Sequence, residues 1–339
     1  MRRLLIIRGG AVGDVILTLP ALRALQQAFP HAVLEVMGNP SRMILAQHPC
    51  YTTHLTDLER WDLYRLFSPN ARVSESLSAY LRSFDAILAY LPGRDATFAR
   101  HLRQYCSGHV VVLPPHPPDG VHATEHLLEP VMDLLPRAYD PRPHVYTDAA
   151  ALQAAAQFWH TAGLPAQGVL GLHPGSGGTH KLWPLAGWRA VLAWAAQQGV
   201  PCLVISGPAE AERLASLLQD RHLPPWPCAR QMPLPHLAAV LARCQVVLGH
   251  DSGVTHLAAA VGTTTLALFG PTHPWQWGPR SQRACVLWPQ PPGPLSLECL
   301  PPERVIEVLN ALRGGTFSFT PSRVDCTIVR LPEASLTHT

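Results

Sequence analysis

The sequence predicts an α/β protein built from two doubly wound, parallel-sheet halves. Three observations carry that expectation: short apolar runs alternate with helix-length amphipathic stretches, the same pattern starts afresh in the second half, and the chain has 339 residues. A core of roughly 150 residues is typical of one domain, so two are expected here. The boundaries are placed at residues 1 to 150 and 151 to 315, followed by a tail over 316 to 339.

In the first half, "RLLIIR" (3 to 8) is an apolar run followed by Gly9, Gly10 and Gly13 and then a helical pattern through Phe29. That order reads as strand, tight turn, helix. "AVLEVMG" (32 to 38), "FDAILAYLP" (84 to 92) and "HVVVLP" (109 to 114) are further strands. A proline-rich passage, "LPRAYDPRPHVY" (135 to 146), breaks the period near the expected boundary. Beyond it, "GVLGLHPGS" (168 to 176), "PCLVISGP" (201 to 208), "CQVVLGHDSG" (244 to 253) and "TTLALFGPT" (264 to 272) each run from apolar residues into small or polar ones. "WRAVLAWAAQQG", "EAERLASLLQD" and "LPHLAAVLARC" between them carry helical apolar spacing. A last helix, "PPERVIEVLNALRGG" (301 to 315), ends at Gly314 and Gly315, and the tail from Thr316 is expected to be poorly ordered or draped on the surface.

Composition narrows the classes. Charged residues make up 14% and apolar ones 47%, which fits two buried cores and not a disordered chain. The net charge of +3, with no block of like charges, gives no reason to expect nucleic acid. An anionic small molecule or an anionic lipid surface would both suit it. The start, "MRRLLIIRGGAVGD", imitates an export signal, but Arg8 and Asp14 break the apolar stretch such a signal needs. A cytoplasmic protein is therefore expected. Its 8 cysteines form no C-x-x-C pair, so reduced thiols are expected rather than a zinc site or disulfide framework.

Ligands of open parallel sheets bind beyond the carboxyl ends of the strands, which gathers these loops at a candidate site between the domains. In "HPGSGGTHKLWP" (173 to 184), Gly175, Gly177 and Gly178 allow close backbone approach, Ser176 and Thr179 offer hydroxyls, and Lys181 adds positive charge. The set suits phosphate oxygens without being a Walker loop; a flexible turn with a solvated lysine is the alternative. In "GHDSGVTHLAAAVGTTTLALFGPT" (249 to 272), Asp251 and Ser252 can cap a helix opening at Gly253, and His256 lies on its first turns. An anion would sit there. In "SGPAEAER" (206 to 213), Glu212 is either a contact to ribose hydroxyls or a complement to the helix dipole. His122 and His126 could form half a metal site, but neither H-E-x-x-H nor a D-x-D arrangement is present.

"LLIIRGGAVGDVILTLPALRAL", "GLHPGSGGTHKLWP", "ISGPAEAER" and "GHDSGVTHLAAAVGTTTLALFGPT" resemble, in order and spacing, the lipopolysaccharide heptosyltransferase family, glycosyltransferase family 9, over roughly residues 3 to 313. The resemblance implies a GT-B fold, with two Rossmann-like domains facing across a cleft, acceptor held by the first and nucleotide-sugar by the second. It implies Asp14 as general base on the acceptor hydroxyl, with Gly13 beside it on the acceptor side. Arg60, Arg65, Arg94 and Arg100 could meet an anionic lipid-linked acceptor, since guanidinium forks match carboxylate and phosphate, or be solvated surface charges. Lys181 would act on the donor phosphates, and Ser176, Gly177, Glu212, Met232, Asp251, Ser252, Gly253 and His256 would bind the donor. The expected reaction is inverting transfer of a sugar, a heptose from ADP-heptose first, to a lipopolysaccharide-core or other glycan or glycolipid hydroxyl. No cofactor and no essential metal are expected, and peripheral contact with the inner face of the membrane is compatible. Two rivals stand beside it: a catalytically silent sugar-nucleotide-binding protein of the same fold, and a dinucleotide-dependent oxidoreductase. The second fits poorly, because Gly9, Gly10 and Gly13 miss the G-x-G-x-x-G spacing and only Glu35 loosely offers the acidic partner.

Overall fold

The computed structural model describes residues 1–52, 54–70, 72–91, 96–135, 139–207, 214–215, 217, 223–289, 296–320 and 325–330. It divides into two compact units, Met1–Tyr146 and Thr147–Thr339. The first holds strands β1 (Arg3–Arg8), β2 (Val33–Gly38), β3 (His54–Asp57), β4 (Ala86–Tyr90) and β5 (His109–Leu113). Its helices are α1 (Val12–Ala28), α2 (Pro40–Met43), α3 (Glu75–Arg82), α4 (Ala96–Tyr105) and α5 (Ala123–Leu128). The strand order is β3-β2-β1-β4-β5, with every neighbouring pair parallel.

β1 lies at the centre, with Ile6 in register with Val36 on one side and Leu88 on the other. Residues Leu4 to Ile7 are all buried, which explains the unbroken apolar run: a central parallel strand is covered on both faces. β3, by contrast, gave no sequence signal. It is a four-residue edge strand, "HLTD", largely polar and only partly covered. α1 runs through an internal proline, Pro20, whose buried carbonyl accepts the Tyr139 hydroxyl. Arg23, one turn on, donates to the carbonyls of Asp140 and Arg142, and the Tyr51 hydroxyl donates to the His144 carbonyl at 2.6 Å. Residues 139–144 of the proline-rich passage are thus fastened to the first unit.

The second unit holds β6 (Leu170–His173), β7 (Cys202–Ser206), β8 (Cys228–Arg230), β9 (Val246–His250), β10 (Thr264–Leu268), β11 (Ala284–Trp288) and β12 (Thr327–Arg330). Its helices are α6 (Ala149–Thr161), α7 (Leu185–Gln197), α8 (Leu234–Leu241), α9 (Gly253–Ala260), α10 (Pro274–Trp277) and α11 (Pro302–Arg313). The parallel order is β12-β11-β10-β9-β6-β7-β8. The apolar faces of α7 and α11 meet the sheet in a core that includes Trp183, Trp188, Leu172, Leu248 and Leu309. Most of "EAERLASLLQD" lies outside the described residues. No helix among the described residues is long and apolar enough to cross a membrane.

Within the tail, residues 325–330 are ordered against the sheet of the second unit, while 321–324 and 331–339 lie outside the described residues. Thr327–Arg330 adds an edge strand to β11, with Ile328 in register with Val286. Cys326, fully buried, joins a cluster with Phe269, Ala284 and Val286, against which Ile328 packs. Asp325, at φ 58, pairs with the buried Arg280 at 3.2 Å. A run with β-branched residues and an open sheet edge to cover suffices to order it, although it is too short and isolated to show a period.

β6 and β9 are neighbours, and each ends on a buried histidine, His173 and His250. Burial pushes the His173 imidazole down to about 4. Unfolded, the ring would take a proton near 6.5, so the unfolded state binds more protons between those values. Stability is therefore full above pH 6.5 and lost as pH falls toward 4, by about 3 kcal/mol in all. Urea unfolding of the second unit's transition across this range is expected to show that slope, and His173→Gln to flatten it; an identical slope in the variant would refute the assignment. A chain ended before Asp325 is expected to lose about 2 to 4 kcal/mol, because Cys326 and Ile328 leave the core. Amide exchange at 284–288 would rise in the shortened chain, and unchanged protection there would count against β12.

Candidate active site

In the second unit the chain steps from β6 to β7 and β8 in one direction and from β9 to β10, β11 and β12 in the other. The segments leaving β6 and β9 therefore part to opposite sides, opening a crevice at the strands' carboxyl ends. Two loops enter it, residues 174–184 after β6 and residues 251–252 after β9. They carry Ser176 and Lys181, and Asp251 and Ser252. Lys181 Nζ lies 2.6 Å from Asp251 Oδ2, and the Ser176 hydroxyl donates to the Asp251 carbonyl at 3.1 Å. Asp251 is therefore not the helix cap expected from sequence. Its carboxylate, nearly buried, is matched by the lysine, and Ser252 alone caps α9, accepting the Thr255 N–H at 3.4 Å. α9 opens at Gly253, two positions after Asp251 in the chain, so the positive end of its helix dipole lies close to this pair. An anion of about phosphate size has a cation and a helix N-terminus to bind here.

Two histidines missed as functional candidates organise these loops. His173 Nδ1 lies 3.3 Å from the Ser252 hydroxyl. His250 Nε2 accepts the Trp183 N–H at 2.8 Å, and its Nδ1 faces the Gly175 carbonyl at 3.1 Å. The Thr255 hydroxyl donates to the His250 carbonyl at 2.5 Å, and a Cβ on Gly249 would fall 2.5 Å from that hydroxyl oxygen. Their position at strand ends was the available signal. A histidine closing a buried strand has to direct its two polar nitrogens somewhere.

In the first unit the strand order reverses between β1 and β4, and the β1–α1 turn carries Asp14 at that point. Asp14 is the third residue of α1. Its Oδ2 accepts the Ala11 N–H at 2.7 Å, closing the helix start, and its Oδ1 accepts from Arg8 Nη2 at 2.9 Å. Arg8 is 2% exposed and Asp14 29% exposed. Burial lowers the Arg8 guanidinium from its ordinary range, and the Asp14 carboxylate opposes that shift. Arg8 also donates to the Thr18 hydroxyl at 3.1 Å, and Thr18 donates to the Asp14 carbonyl at 2.7 Å. The sequence showed Arg8 only as a break in an apolar run, yet a charge ending a central strand requires a partner nearby. Gly10 sits at φ +105, and a Cβ there would fall 2.6 Å from Asp14 Oδ2, so this glycine is needed twice over. Exposed Arg42 on α2 donates to the Gly10 carbonyl at 2.6 Å, bringing to this turn a cation the sequence did not single out.

The remaining candidates are spread more widely. Gly13 is the second residue of α1. His256 is buried on α9, and Met232 follows β8, partly buried. Gly177 is exposed, and a side chain there would meet open space, so nothing within the protein demands a glycine. Arg60 ends a short turn after β3, its guanidinium 5.3 Å from the centre of the Trp61 ring. Glu212 and Arg94 lie outside the described residues. His122 caps α5, accepting the Thr124 N–H at 3.1 Å, and His126 Nε2 lies 2.8 Å from the Pro114 carbonyl.

Comparison with known proteins bears on both units. Lipopolysaccharide heptosyltransferase 1 of Salmonella typhimurium is 25% identical over 311 residues, 84% of this chain and 93% of that protein. Lipopolysaccharide heptosyltransferase 3 of Escherichia coli is 32% identical over 112 residues, and the match spans 33% of its length. Among solved structures, a family 9 glycosyl transferase from Veillonella parvula DSM 2008 superposes with a TM-score of 0.77 at 20% identity, covering 93% of this chain and 98% of that one. The E. coli ADP-heptose LPS heptosyltransferase II superposes with a TM-score of 0.71 at 21% identity, covering 93% and 99%. Residues 108–295 match the family model described as glycosyltransferase family 9 (heptosyltransferase). That match takes in more than half of the sequence, so the chain belongs to glycosyltransferase family 9 and is a glycosyltransferase.

Proposed function

We propose that this protein transfers a heptose from ADP-heptose to a hydroxyl of a lipopolysaccharide-core acceptor, with inversion at the anomeric carbon. The observation that carries the donor half of this reading is the Lys181–Asp251 pair, 2.6 Å long, held beside the start of α9. Lys181 keeps 27% of its side chain exposed and has three N–H donors, of which Asp251 takes one. The others can reach diphosphate oxygens. Ser176, Gly177, Ser252, Gly253 and His256 join Lys181 in holding the donor, with Met232 toward its base and Glu212 toward its ribose. ADP-heptose is favoured as donor by what the relatives are called: one solved neighbour is an ADP-heptose LPS heptosyltransferase and another is an E. coli heptosyltransferase with ADP.

In the reaction, the acceptor oxygen attacks the anomeric carbon as the bond from that carbon to the diphosphate breaks. The bonding pair leaves with the nucleoside diphosphate, and the hydroxyl proton passes to Asp14. Arg8 and the Ala11 N–H each hold one oxygen region of that carboxylate, fixing its direction at the turn. Negative charge developing on the diphosphate is stabilised by Lys181 and the α9 N–H groups, whose orientation is set before the reaction begins. Gly13, Arg60 and Arg94 belong to the acceptor side, where guanidinium groups suit a carboxylate- or phosphate-bearing saccharide. Such an acceptor is lipid-linked, so contact with a membrane surface belongs to the proposal.

The direct test is ADP release from ADP-heptose with and without a lipopolysaccharide-core acceptor, run beside GDP-, UDP- and dTDP-linked sugars. Release requiring both ADP-heptose and acceptor is expected; equal release from every donor, or none from any, would overturn the assignment. A general base typically contributes ~10²- to 10⁴-fold in rate, so Asp14→Ala should slow turnover by that order while ADP binding stays near wild type. Turnover within a few-fold of wild type would remove Asp14 from the role. Lys181→Ala should weaken ADP binding and slow transfer together. An unchanged ADP affinity would refute its phosphate contact.

A further inference from the structure

We propose that His250 is the positioning residue of the donor-phosphate loop, holding Lys181 and Ser176 in place through its two ring nitrogens. It closes β9, is fully buried, and immediately precedes Asp251. The Trp183 N–H donates into Nε2 at 2.8 Å, so that nitrogen carries its lone pair. The ring proton then sits on Nδ1 and is given to the Gly175 carbonyl at 3.1 Å. Only the neutral Nδ1–H form of the ring makes both bonds.

The two bonded residues bracket the loop. Gly175 stands one position before Ser176, and Trp183 two positions after Lys181. Between them the loop's own backbone supplies a single 3-10 turn over Thr179–Lys181, with bonds from Lys181 N to Gly178 O and Leu182 N to Thr179 O. The imidazole is a crossbar joining the start and finish of the loop, while the His250 carbonyl takes the Thr255 hydroxyl from the first turn of α9. One residue thereby fixes the lysine, the serine hydroxyl and the helix N-terminus relative to one another. The ring edge packs on Trp188 at 5.2 Å and 75°, which keeps it from turning.

This assignment rests on reading Lys181 as a phosphate contact, and the experiment separates the two. Calorimetric titration with ADP is carried out on wild type, His250→Ala, His250→Gln and His250→Asn, each also in a Lys181→Ala background. His250→Ala is expected to weaken ADP binding about tenfold, since it leaves the buried Trp183 N–H without its acceptor. Gln places an amide oxygen where Nε2 stood and should recover most of the loss, whereas Asn reaches only toward Gly175 and should not. In the Lys181→Ala background the differences among the three His250 variants should shrink, because much of the effect acts through the lysine. If His250→Ala fails to fold, the Gln and Asn variants carry the same comparison. Equal affinities for Gln and Asn, or losses that add fully to that of Lys181→Ala, would overturn the positioning role. A wild-type protein that binds no ADP would overturn the donor reading and this assignment with it, while an ADP-binding wild type matched by His250→Ala would overturn this assignment alone.

Discussion

The second unit is organised around one nearly buried carboxylate and the lysine that meets it. The Asp251 side chain is 9% exposed, at the point where the strand order reverses. Surface ion pairs are worth about 0 to 1 kcal/mol, but removing one partner of a buried pair costs about 3 to 5 kcal/mol, because an unmatched charge remains in a poor solvent. Asp251 belongs to the second class. Its partner, Lys181, comes from 70 positions earlier in the chain, so the loop after β6 has to be led back over the end of β9. The surrounding details serve that course: Ser176 bonds the Asp251 carbonyl, Gly249 leaves room for the Thr255 hydroxyl, and His250 joins Gly175 to Trp183.

The same physics separates what was legible in the sequence from what was not. β1, β6, β7, β9 and β10 are buried on both faces and read as apolar runs ending in small or polar residues. β3 and β8 are edge strands of four and three residues, too short and too polar to separate from loops. β11, "ACVLW", is as apolar as its neighbours, but no glycine-rich active loop follows to mark it, and β12 was hidden in a tail with no period. At the site, Lys181 and Asp251 stood out because charged residues in glycine-rich loops are conspicuous. Arg8, His173 and His250 did not, because their roles come from what lies opposite them in space: Arg8 from Asp14 six positions on, His250 from Trp183 67 positions back.

Each unit presents one charge at the carboxyl ends of its strands and buries the opposite one, and the two units do so with reversed sign. In the first, Arg8 is the buried member at 2% exposure, and Asp14 stands at the rim with 29%. In the second, Asp251 is the buried member at 9% and Lys181 stands at the rim with 27%. In the proposed reaction the rim carboxylate is the proton acceptor, with its direction fixed by Arg8, which is engaged with Asp14 and Thr18. A rim lysine with its carboxylate beneath is suited to an anion and not to proton abstraction. In the proposed reaction, two pairs of the same sign would have left either the proton acceptor or the phosphate contact to come from elsewhere. The sign reversal is set by which charge ends the central strand and which follows it: arginine at the end of β1 with the carboxylate on α1, and the carboxylate directly after β9 with the lysine on a returning loop.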